Sequence, residues 1–172
     1  RAMLSTIDQA LDCVVDALAN ADTGAGELGL SRLRATQPLV DSWTVSLDTA
    51  IAVSRISPFL RARLPELQRD LRVLAAADLA ARHLRSVARR VEFLVRDGVP
   101  RPALAELVKQ FATGIRLLGD ELDDPQVAGA SRSLMTDVAG RLDPATVIPE
   151  ARITDSALVL MLRPLAVDVL VG

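Results

Sequence analysis

Apolar residues recur at helical spacing along nearly the whole chain. Positions three and four apart share a helix face, so this pattern predicts amphipathic helices rather than strands. Leu4, Ile7, Leu11, Val14 and Leu18 make one face of a first helix, and the three glycines between Asn20 and Gly29 bring it to an end. Leu30 to Ile56 predicts a second helix that Pro38 kinks or splits, with Trp43, Leu47, Ala50 and Ile51 on its inner side. Ser57-Pro58 starts the next element. Pro65 fits the first turn of a long helix reaching about Arg96, which spans about 47 Å at 1.5 Å per residue.

Asp97-Gly98-Val99-Pro100-Arg101-Pro102 is a stop followed by a restart. Leu104, Leu107, Val108, Phe111, Ile115 and Leu118 then form an unbroken stripe. The acidic turn Asp120 to Asp124, followed by Pro125, opens a helix carrying Val127, Leu134, Met135, Val138 and Leu142. Asp143 to Thr154, with Pro144 and Pro149, reads as a connection. The final helix, Asp155 to Val171, is apolar on nearly all sides, interrupted only by Arg163 and Asp168, and is expected to be central or covered by a partner. No strand alternation or fixed-period repeat is present. The expected architecture over 1–172 is one all-α domain, an antiparallel bundle of about six helices with one long central helix.

Composition agrees with this reading. Half the residues are hydrophobic, almost all of them Ala, Leu and Val, with three Phe, one Trp and no Tyr. Ala, Leu and Arg favour helices, and the strand-favouring aromatics are scarce. The net charge of −2 implies no general affinity for nucleic acid, so no nucleic-acid partner is expected. Its distribution says more: residues 1–54 carry three basic and seven acidic groups, 55–101 eleven and five, and 102–172 six and ten. Cys13 is the only cysteine, so no disulfide forms within the chain. No run without a charged residue exceeds seven, whereas a spanning helix needs about 20 predominantly apolar residues. No signal-peptide pattern is present.

Candidate chemistry centres on Ala80 to Val95, AARHLRSVARRVEFLV, which holds the only histidine, His83. Projected at about 100° per residue, Ala80, Leu84, Val87, Val91, Leu94 and Val95 point one way, and Arg82, Arg85, Arg89 and Arg96 point nearly opposite. His83 falls at the boundary and reads as an ordinary hydrogen-bonded side chain; the residues after it lack the Lys-Gly step of a phosphotransfer histidine. The row Arg82, Arg85, Arg89 and Arg96 is a solvated face, with Asp78 placed to pair with Arg82 and Glu92 within a turn of Arg89 and Arg96. It is also a candidate surface for an anion or for anionic lipid. Phe93 lies among these arginines and points to a partner surface or to another helix packed there.

Asp8, Asp12 and Asp16 recur every four residues on the first helix. Carboxylates so spaced hold metals in bundles that also supply histidines, and this chain has no second histidine, so an acidic edge facing the basic middle helix is the expectation. Gly24-Ala25-Gly26 reads as a flexible turn. No nucleophile, base or phosphate-loop pattern can be assigned, and no catalytic residue, cofactor or metal site is expected.

Two segments resemble a known family. AARHLRSVARRVEFL, Ala80 to Leu94, resembles the long soluble helix of actinobacterial fusaric acid resistance-like (aromatic acid exporter) membrane proteins, where an Ala- and Arg-rich segment runs into a repeated Ala-Arg-Arg pattern. LVLMLRPLAVDVLVG, Leu158 to Gly172, is similar to the close of such proteins through Arg163, Ala166, Val167, Asp168 and Leu170. The resemblance implies a cytoplasmic domain, on the inner-membrane face, of an exporter of small aromatic or amphiphilic acids. Its partners would be the transmembrane portion of the same polypeptide, further copies in a homo-oligomer, and anionic lipid at the basic row. Two other readings stay open: a free-standing soluble bundle acting as a regulator or adaptor, and a metal-dependent bundle enzyme.

Overall fold

The computed structural model describes residues 2–123, 129–143 and 153–171. Seven α-helical segments and no strand occur among the described residues: α1 (Ala2–Asn20), α2 (Thr23–Ala35), α3 (Gln37–Ile56), α4 (Leu64–Leu94), α5 (Pro102–Asp123), α6 (Ala130–Arg141) and α7 (Ile153–Val171). The fold is the expected all-α bundle. Its one long helix, α4, has 31 residues and carries Pro65 in its first turn, where a missing N–H costs no hydrogen bond.

The second predicted helix is two, α2 and α3, divided at Thr36. Pro38 has no N–H to give the carbonyl four residues back, so it ends one helix and suits the first turn of the next. The buried Thr36 hydroxyl donates to the Leu33 carbonyl at 2.7 Å, closing the end of α2. The glycine-rich stretch corrects the sequence reading. Gly24, Gly26 and Gly29 lie inside α2, which starts at Thr23 and is capped by the Asp22 carboxylate accepting from the Ala25 N–H at 3.1 Å. Gly26 and Gly29 serve close packing: a Cβ at Gly29 would sit 3.1 Å from the Ala10 carbonyl oxygen, and one at Gly26 3.4 Å from the Glu92 Cα.

Neighbouring helices run antiparallel where residue pairs fix the direction. Gly26 lies near Ala17 and Gly29 near Cys13 and Ala10, which orients α2 against α1. Just before α5, the Arg101 N–H donates to the Leu18 carbonyl at 2.6 Å, while Arg116 within α5 reaches Asp8 and Asp12 of α1. Met135 of α6 fills the space beside Gly114 of α5, and Arg141 reaches Gln110 at 2.7 Å.

One contiguous core runs through every helix, with Leu11, Leu33, Leu84, Phe111, Met135 and Leu158 fully enclosed. The predicted stripes on α1, α4 and α5 are its walls. Helix α3 is the exception, for it packs mainly on α4 through Val40, Leu47, Ile51 and Ser54. Trp43, expected on its inner side, is 39% exposed. Leu47 and Ile51 are buried as expected, and Ala50 is half-buried.

The last helix begins at Ile153 rather than Asp155 and continues through Pro164. It buries Leu158, Val159 and Leu162 and leaves Leu160 exposed, which gives it a core side and an open side over the part whose side chains are described. Val127 and most of the expected 143–154 connection lie outside the described residues.

Candidate functional site

Helix α4 presents its arginines to solvent, as the projection requires, and the structure divides them. Arg82 pairs with Asp78, and its guanidinium is held above its ordinary pKa chiefly by that hydrogen bond, then by the charge of Asp78, with Asp41 of α3 adding to it. Arg96 pairs with Glu92 at 2.5 Å, so Glu92 serves Arg96 and leaves Arg89 alone. Arg85 is half-buried and its Nη1 meets no hydrogen-bond partner; Arg89 is exposed and has no hydrogen-bond or ion-pair partner among the described residues. The ends of the row are neutralised. Its middle keeps its charge.

That middle borders a groove. Between α4 and α7 lies an open cleft of about 570 Å³, lined by Ser86, Arg89, Arg90 and Phe93 from α4 and by Ala157 and Met161 from α7. Positions 86, 89, 90 and 93 share one sector of α4 because they are spaced by three and four. The Arg90 guanidinium sits 5.7 Å from the centre of the Phe93 ring, within cation–π range. Phe93 remains 59% exposed, so this aromatic face is open to solvent. The size falls within the range of small-molecule sites, about 300–1,000 Å³. An apolar floor beside a free guanidinium suits a ligand with an apolar body and an anionic head.

Of the six lining residues the sequence pattern singled out Arg89 and Phe93; Ser86 and Arg90 lie in the same segment, and Ala157 and Met161 were missed. No single-helix pattern signals them, because the cleft exists only through the pairing of α4 with α7.

Arg101 was also missed as anything beyond a loop residue. It is 6% exposed, and its side chain donates to Asp155 Oδ1 at 2.9 Å, to Asp97 Oδ1 and Oδ2 at 3.0 and 2.6 Å, and to the carbonyls of Leu94 and Val99 at 3.2 and 2.7 Å. It thereby ties the end of α4, the turn and the start of α7 together next to the groove. Its pKa is raised, first by the hydrogen bond to Asp97 against the cost of burial, with Asp155 adding hydrogen-bond and charge support. A cation at the N-terminus of α5 opposes the helix dipole, and that misfit was the signal in the sequence.

The remaining candidates resolve into structure. Asp8 and Asp12 converge on Arg116, at 2.5 and 2.7 Å, so the acidic edge of α1 faces α5 rather than the basic middle helix α4. Asp16 is exposed. Among the described residues no three His, Cys, Asp or Glu side chains come together as a metal site. His83 is half-buried between the exposed Arg82 and the buried Leu84, at the boundary where the projection puts it. Gly24-Ala25-Gly26 is the first turn of α2, not a flexible turn.

Helix α3 carries a second surface. Its exposed charges, Asp41, Asp48 and Arg55, fall seven residues apart in one line, and the field of Asp41 reaches Arg82 of α4. Away from that line the exposed surface is uncharged, with Leu39, Trp43, Val45, Val53 and Ile56 all open to solvent. The hydroxyls of Ser46 and Thr49 on it donate to backbone carbonyls four residues back, at 2.9 and 2.8 Å. This face asks little of water.

The chain matches no family model, no curated protein and no solved structure. No helix among the described residues is long and apolar enough to cross a membrane.

Proposed function

We propose that this chain is a non-catalytic domain, at the cytoplasmic face of an inner-membrane exporter of small aromatic or amphiphilic acids, that serves assembly or gating. The observation that carries the reading is the α4–α7 groove. Arg89 supplies a guanidinium with no partner among the described residues, and Phe93, Ala157 and Met161 supply an apolar floor, which together suit an amphiphilic acid. The resemblance of Ala80–Leu94 and Leu158–Gly172 to fusaric acid resistance-like proteins supports the same substrate class. The uncharged outer face of α3 supports assembly, because an exposed apolar strip of this kind gains by being covered, here by a transmembrane portion or a further copy.

The test uses the full-length gene product. It is expected to fractionate with membranes, and Arg89→Ala combined with Phe93→Ser should lower efflux of a naphthalene carboxylate about tenfold, the weight of one charge-assisted contact, while leaving the protein in the membrane. A gene encoding no apolar span of about 20 residues would end the exporter reading.

A further inference from the structure

Among the described residues, the two most exposed large apolar side chains lie at the corner between α3 and α4. Phe59 is 94% exposed and Ile56 83% exposed. The corner is not an open loop: the Ser57 N–H donates to the Val53 carbonyl at 3.0 Å, Leu60 N–H to Ser57 at 3.2 Å and Arg63 N–H to Leu60 at 2.9 Å. Successive turns therefore order the backbone that carries Ile56 and Phe59, and both side chains project into solvent.

Exposed cations flank these two residues in the chain. Arg55, Arg61 and Arg63 are all exposed; Arg63 lies 3.8 Å from Glu66, while Arg55 and Arg61 have no hydrogen-bond or ion-pair partner among the described residues. From Arg55 to Arg72 the chain carries five arginines against Glu66 and Asp70. The uncharged face of α3 runs down to the same corner.

We infer that the α3–α4 corner is a docking tip for an anionic lipid bilayer, with Phe59 and Ile56 entering the acyl boundary and Arg55, Arg61 and Arg63 engaging lipid phosphates. The occupant is a bilayer because the apolar group is convex. Two side chains projecting from a turn need a soft medium that closes round them, and the exposed arginines flanking them match a negative surface. The inference goes beyond the exporter reading and does not depend on it, since the tip lies on this chain and needs no ligand in the α4–α7 groove.

The experiment is sedimentation of the chain with phosphatidylglycerol/phosphatidylcholine vesicles and with pure phosphatidylcholine vesicles, at about 0.1 M salt. The chain is expected to bind the anionic vesicles and not the neutral ones. Ile56→Ser with Phe59→Ser should abolish binding, and each of Arg55→Ala, Arg61→Ala and Arg63→Ala should weaken it about fivefold, as one surface cation contributes. These side chains are exposed, so circular dichroism and the melting temperature should not change. Phe59→Trp should show blue-shifted emission on anionic vesicles alone. Failure to bind anionic vesicles would overturn the inference. So would binding that survives the serine pair yet is lost with Arg82→Ala, Arg85→Ala and Arg89→Ala, or a self-association in solution that the serine pair removes while vesicle binding persists.

Discussion

Arg101 shows how one side chain can hold three elements in register. Buried and bonded to two carboxylates and two carbonyls, it leaves those groups stranded when removed. Breaking such a network by deleting one partner costs about 3–5 kcal/mol. Arg101→Leu is therefore expected to lower unfolding stability by about that amount in urea denaturation. Its pH dependence follows from the raised pKa. A basic group whose folded pKa exceeds the unfolded one stabilises fully below the unfolded value and loses the effect only as pH rises through the folded value. For arginine that window lies above about pH 12, so the difference between wild type and Arg101→Leu should be flat from about pH 7 to 9. Gly29 is the other decisive residue, because a Cβ there meets the fixed Ala10 carbonyl oxygen at 3.1 Å and the Val14 Cγ2 at 3.1 Å. Gly29→Val should cost about 1–3 kcal/mol by forcing α1 and α2 apart, measured in the same denaturation.

Among elements, what the sequence made legible follows the range of the interaction. Stripes on α1, α4 and α5 are local periodicities, and they locate buried walls directly. The break before Pro38 and the stop at Gly98, whose φ of 70° suits glycine, are equally local. The glycines of α2 mislead because their reason lies in other helices: a helix that must approach α1 and α4 closely uses small residues, and the same letters in isolation spell a turn. Trp43 misleads in the reverse direction, since α3 has one main neighbour and two adjoining apolar strips, and only the strip of Val40, Leu47 and Ile51 is covered. The acids of α1 were legible as an edge and not as partners, because Arg116 lies 104 residues from Asp12. Arg116→Ala should cost only about 1 kcal/mol in denaturation, since this half-exposed contact is screened by solvent.

For the molecule as a whole, charge and apolar surface are sorted rather than scattered. Asp8 and Asp12 of the first acidic flank meet Arg116, and Asp155 of the second meets Arg101, while the basic middle splits into paired ends, Arg89 at the groove and exposed arginines at the α3–α4 corner. The proposed site for an amphiphilic acid is the α4–α7 groove. The measurement that tests it most directly is titration of this chain with 2-naphthoate, followed by amide chemical shifts. At about 0.3 kcal/mol per non-hydrogen atom, its 13 or so atoms give a Kd on the order of a millimolar. Shifts are predicted to concentrate at Ser86 to Phe93 and at Ala157 to Met161, to be absent with the uncharged 2-naphthalenemethanol, and to weaken about tenfold in Arg89→Ala. Shifts spread evenly over the chain, or a response that Arg89→Ala leaves intact, would contradict it.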